Sequence, residues 1–156
     1  MYVLLDVYMT KCINVKVAKF WMARNRKNEL VLCRRDRVML NIKFIDPKHG
    51  ESWGYQPGDH LAVIFSPGDG MVATVDMCND DHWKILFKQP EYYDDSGIPT
   101  NASIFKLTGV DERIRFLWFR SIGGERLLRY GGIFNRLSFS KKHNKAAAMN
   151  VVNLYL

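Results

Sequence analysis

Residues 55–63, Tyr55-Gln56-Pro57-Gly58-Asp59-His60-Leu61-Ala62-Val63, hold the most chemistry in the shortest space. Pro57 fixes φ and Gly58 tolerates positive φ, so the pair makes a turn that delivers the chain into an apolar strand. Asp59 and His60 follow where side chains can bond back to turn amides. On physics alone this is a structural turn. Other candidates are sparser: His49, His60, His82 and His143 show no metal-ligand spacing among them, so no metal site is expected. Cys12, Cys33 and Cys78 are odd in number, far apart and without a Cys-X-X-Cys pair. They read as free thiols in a reducing compartment. A cysteine nucleophile needs a histidine brought close in space, and no local pattern supports one. Asp80-Asp81 and Asp94-Asp95 read as solvated loop acids rather than a catalytic carboxylate pair.

Charge narrows the field further. The 156 residues carry a formal charge of +7, with 47% apolar and 25% charged residues, a composition for one globular domain or part of a larger one. Residues 111–156 hold nine Lys+Arg against three Asp+Glu, while residues 1–110 hold fourteen against thirteen. The basic excess therefore falls on the last third. There Arg113, Arg115, Arg120, Arg126, Arg129, Arg136 and Lys141-Lys142 interleave with Phe116, Trp118, Phe119, Tyr130 and Phe134. Cations beside aromatics suit a nucleic-acid backbone and its bases, although a charged face on a core element is the plainer account. No apolar run approaches the roughly 20 residues of a membrane helix. Met1-Tyr-Val-Leu-Leu-Asp6 lacks the basic start of a secretory signal, so a cytoplasmic location is expected.

The elements that position these residues are mostly strands. Ile13, Val15 and Val17 alternate with polar residues, as do Val38, Leu40, Ile42 and Phe44 with Asn41 and Lys43. Between them, residues 23–37 form a polar connection with a short apolar interlude at 30–33. Residues 46–50 and 55–60 supply turns, 61–65 a buried strand, and 66–70 a break. Short helices are expected at 71–77, 102–107 and 145–156, with a strand at 84–87 and either element at 111–120. No internal repeat is evident. Tight turns between short strands predict an antiparallel barrel or sandwich.

Residues 55–63 also resemble the signature of the FAD-binding reductase module of diflavin enzymes, most closely that of the nitric oxide synthases. The NADPH–cytochrome reductases share its Gly-Asp-His-hydrophobic-Ala-Val part. Asn25-Arg26-Lys27-Asn28-Glu29-Leu30, Gly70-Met71-Val72 and Ile98-Pro99-Thr100-Asn101 stand where that family has an upstream element, a helix start and a proline-led segment. The resemblance covers about residues 13–110. It implies a mainly β chain with some helix: a partial antiparallel Greek-key barrel of the FAD-binding reductase type, then the start of a helical connecting region. Residues 111–156 remain an unmatched basic segment.

The implied parent activity is NADPH-dependent electron transfer through FAD and FMN to haem, with Arg26 near the NADP phosphate and Tyr55, Pro57, Gly58, Asp59 and His60 as structural motif. Its partners would be the remainder of the reductase and the haem domains. Two departures limit this. No Arg-X-Tyr-Ser strand for flavin stacking occurs, only Arg129-Tyr130-Gly131-Gly132, and no GxGxxG or P-loop is present. The expected function is thus a fragment inactive alone, and the alternative is a small basic β-rich module that binds nucleic acid or an acidic partner without catalysis.

Overall fold

β-Branched and aromatic residues spaced two apart favour short strands with one buried face. In the computed structural model such strands dominate. It describes residues 4–5, 13–17, 19–45, 59–77, 83–92, 95, 98–108, 115–116, 118–121, 126–131, 136–140 and 149–153. Fourteen strands lie among them: β1 (Leu4–Leu5), β2 (Ile13–Val17), β3 (Phe20–Arg24), β4 (Leu30–Cys33), β5 (Asn41–Ile45), β6 (Asp59–Phe65), β7 (Val72–Met77), β8 (Trp83–Lys88), β9 (Phe105–Thr108), β10 (Arg115–Phe116), β11 (Trp118–Ser121), β12 (Arg126–Gly131), β13 (Arg136–Ser140) and β14 (Met149–Asn153). Every ladder is antiparallel.

The pairing repeats three times. β2–β5, β6–β9 and β11–β14 are successive four-strand units. In each, the first strand pairs with the second and the second with the third. The fourth strand of each unit pairs with the first of the next: β5 with β6, β9 with β11, and β14 back with β2. The third strands β4, β8 and β13 converge on one another. No sequence repeat announces this arrangement, because only the alternation of apolar positions is shared.

Among the described residues the ring of first and fourth strands is divided between two sheets: β6 pairs with β9, and β14 with β10 just ahead of β11, but no ladder joins β11 to β14 or β2 to β5. Instead β2 and β3 part after two register pairs, Val17 with Phe20 and Lys16 with Trp21. Val38 fills the gap: its amide donates to the Met22 carbonyl at 3.0 Å, and its carbonyl accepts from Asn14 Nδ2 at 2.8 Å. Asn14 is 1% exposed, and its Oδ1 and that of Asn41 have no donor among the described residues.

Several expected elements change type. Residues 71–77 form β7 rather than a helix, since Val72, Thr74 and Val75 align with Lys88, Leu86 and Ile85 of β8. Residues 102–107 are not helical beyond a 3-10 turn at Asn101–Ser103. Phe105 and Leu107 instead sit in β9, between β6 and β11. Within 145–156 the described part is β14, held in register by β2. The ambiguous 111–120 contributes β10 and β11. A helical connecting region after residue 98 is therefore absent from the described residues. The strands read at 13–17, 61–65 and 84–87 and around 38–44 are present, and so is a mainly antiparallel β architecture. No helix of the described residues is long and apolar enough to cross a membrane.

Leu40, Ile42 and Phe44 of the second expected strand face a core with Val15, Val17, Met22, Ala62, Ile64, Phe87, Phe105 and Leu107. Phe105 is fully buried at the centre, on a strand paired along both edges. Phe105→Ala should lower unfolding free energy by about 3–5 kcal/mol, read from urea melts at unchanged slope.

Candidate functional site

The tightest polar cluster gathers around Arg24, at the end of β3. Its guanidinium meets Asp69 at 2.8 Å, Asn28 Oδ1 at 2.9 and 3.1 Å, Ser66 Oγ at 3.3 Å and Met71 Sδ at 3.2 Å, over the Phe87 ring. Asn28 takes φ +63°, a conformation asparagine tolerates, and its carbonyl accepts from the Phe87 amide. Asn25 Oδ1 accepts from the amides of Lys27 and Glu29, and Lys84 pairs with Glu29 at 3.5 Å. The turn 25–29 is thus clamped to β8 and to the loop 66–71. Arg26, expected near a cofactor phosphate, sits exposed at the tip of this turn. Its neighbour Arg24, two residues back, makes the structural contacts.

The turn motif fares differently. Asp59 opens β6 opposite Thr108, and His60 follows within the strand, edge-to-face with Phe44 at 5.5 Å between centroids. His60 is therefore a packed strand residue. Tyr55, Pro57 and Gly58 lie outside the described residues. So do His49, His82, His143, Cys12, Cys78, Asp80, Asp81 and Asp94, while Asp95 is exposed. Cys33 carries a free thiol. Among the described residues no group of three or more His, Cys, Asp or Glu side chains could hold a metal ion.

A second constellation was missed in the sequence. Residues 16–37 contain eight Lys+Arg against two Asp+Glu, a net +6 that averaging over residues 1–110 conceals. The β2–β3 hairpin is closed by only two residues, so Lys16, Lys19, Phe20 and Trp21 cluster at its end, with Arg34–Arg37 leaving β4 alongside. Lys16 Nζ lies 4.9 Å and the Arg37 guanidinium 4.4 Å from the Trp21 ring centroid. Lys19 and Arg34 stand 5.8 and 5.7 Å from the Phe20 ring. The ion pairs at Arg24 and Lys84 involve none of these four. These four cations thus face aromatic rings rather than carboxylates, which leaves their charge uncompensated for an anionic ligand.

Arg115, from the basic last third, lies in the same sheet as this cluster, whereas Arg120, Arg126, Arg129 and Arg136 lie in the other. β10, β14, β2, β3 and β4 run side by side in that order. The side chains of β10 and β14 are not described, but their register is.

No protein-family model matches the sequence, and no curated protein is significantly similar to it. Among solved structures, a salivary protein from Culex quiquefasciatus that belongs to the Cysteine and Tryptophan-Rich family shares the fold. The TM-score is 0.58 at 12% identity, over 92% of this chain and 94% of that one. A chain that matches that protein along nearly the whole length of both is not the front of a reductase module. The resemblance to the FAD-binding module of nitric oxide synthases and cytochrome reductases is overturned. With it goes the reading as a fragment of an NADPH-dependent flavoprotein. Of the nine matching residues at 55–63, the described ones, 59–63, form the start of β6, a strand that many folds could supply.

The loop at Arg24 carries a pH dependence. The Met71 amide, and then Arg24, hold the Asp69 carboxyl below the usual carboxylate range. A lowered folded-state pKa stabilises the fold above the unfolded value near 3.8 and loses that contribution as pH falls through the folded value. Asp69→Asn should therefore cost stability at neutral pH, with the gap to wild type closing as acid melts are run below about pH 3.8. Arg24→Ala, which abandons several charged hydrogen bonds, should cost about 2 kcal/mol in the same assay.

Proposed function

We propose that the chain is a non-enzymatic binding module of β-trefoil type whose ligand is a single-stranded nucleic acid, held chiefly through its phosphates. The three four-strand units and their wrap-around pairing support the β-trefoil reading. Supporting the ligand is a single observation: the Lys16–Trp21–Arg37 stack beside Lys19, Phe20 and Arg34, at the end of one hairpin.

Arginine is suited to phosphate because its planar fork donates two parallel hydrogen bonds. A guanidinium over an indole also extends a flat platform on which an unpaired base can stack. Lysine at the hairpin end adds a mobile charge. Duplex DNA is a poorer fit, since its bases are already stacked and offer only edges. The Arg24 clamp holds the far end of the β3–β4 hairpin, so the basic end is presented on a rigid element.

Intrinsic tryptophan fluorescence, to which Trp21 contributes beside Trp53, Trp83 and Trp118, reports binding. Titration with an oligothymidylate should change it saturably, and log affinity should fall with log salt at a slope of about 3, from four phosphate contacts at about 0.7 each. Arg37→Ala should reduce that slope by about 0.7 and weaken binding at low salt. Salt-insensitive binding, or binding only to a heparin-type sulfated oligosaccharide, would overturn nucleic acid as the ligand.

A further inference from the structure

Register joins positions far apart in the chain into one line. Arg115 of β10 pairs with Asn150 of β14, Asn150 with Lys16 of β2, Lys16 with Trp21 of β3, and Trp21 with Cys33 of β4. Directly opposed positions in an antiparallel ladder share one side of the sheet. Five strands about 4.8 Å apart make this row about 19 Å long. One end is Arg115; the other is Cys33, with Arg34, Arg35 and Arg37 just beyond it. Lys16 and Trp21 stand between, both half-exposed.

We infer that the nucleic acid runs across the strands along this row, so that the basic segment at 16–37 and Arg115 of the basic last third form one interface rather than two. This rests on the binding reading above and extends it from a hairpin end to a whole sheet. Sequence separation hides the continuity, because β14 carries the last third back beside β2 and brings β10 with it. A path along the strands instead would leave the hairpin end quickly, toward Ala23, which is buried, and the clamped Arg24. The cross-strand path keeps cations at both ends.

Oligothymidylates of about 2 to 12 nucleotides, bracketing the row and the footprint of comparable single-strand binders, provide the test with the full chain. Affinity should climb with length until the row is spanned, then level off apart from the gain in registers. Arg115→Ala should weaken the long oligomers about threefold to tenfold while leaving the shortest unchanged, and Arg115→Lys should restore most of the loss. Matching urea midpoints exclude a folding defect, and Arg115→Gln provides a second variant that keeps a polar side chain. If Arg37→Ala weakens binding but length and Arg115 have no effect, the cross-strand path is wrong and the hairpin site stands. If no oligomer of any length binds, the binding reading itself fails, and the path with it.

Discussion

Two hydrogen bonds at Val38 settle where the first unit divides. β2 and β3 begin as a tight hairpin and would continue as one flat ribbon if their ladder went on. By taking the Met22 carbonyl and offering its own to Asn14, Val38 replaces the missing rungs and lets the strands diverge. β2 turns toward β14 and the core, while β3 leaves with β4 as a hairpin whose turn is fastened to β8. Backbone groups buried at such a fork must find partners, since each unsatisfied one costs about 1–3 kcal/mol. Everything presented at the hairpin end inherits its position from this fork: Lys16 and Trp21 form the last pair before it opens.

Crowding of like charge at one place is unfavourable unless something offsets it. Here indole and phenyl rings take the role usually filled by carboxylates, each contact contributing about 0.5–1 kcal/mol where exposed. The distinction matters for binding. A lysine paired with a carboxylate must give up its partner before it meets a phosphate, whereas a lysine over an indole keeps the ring and gains the phosphate. Acidic residues are not scarce, but they fall outside residues 16–37, where only Glu29 and Asp36 interrupt the basic run. The chain is thereby strongly polarised despite its near balance over residues 1–110.

Four of the strands, β2, β5, β6 and β8, were legible because one buried face leaves a period of two. Val15 and Val17, or Ile42 and Phe44, show it plainly, and both pairs are buried. Misreadings cluster where local propensity and pairing disagree. Residues 105–108 sit between two other strands, so Phe105 and Leu107 are buried from both edges and the polar alternation reduces to Lys106 and Thr108. The threefold organisation left no trace in residue identity, since each unit needs only apolar residues at alternate positions. The cationic cluster is hidden in the sequence for a different reason: the near balance of charge over residues 1–110 conceals it, and Lys16 and Arg37 stand 5 and 16 positions from Trp21. Nine residues at 55–63 carried a family resemblance that the rest of the fold does not share, because a Pro-Gly turn entering a strand is common to many architectures.

Mapping the ligand contact residue by residue tests this account most directly. Amide chemical shifts of the isotope-labelled chain, followed through titration with an oligothymidylate at low salt, should move at residues 16–21 and 34–37. The turn 25–29 and the loop 66–71 should stay still. Shifts confined to other parts of the molecule, or none at saturating ligand, would contradict the claim that cations held over Trp21 and Phe20 form the binding face.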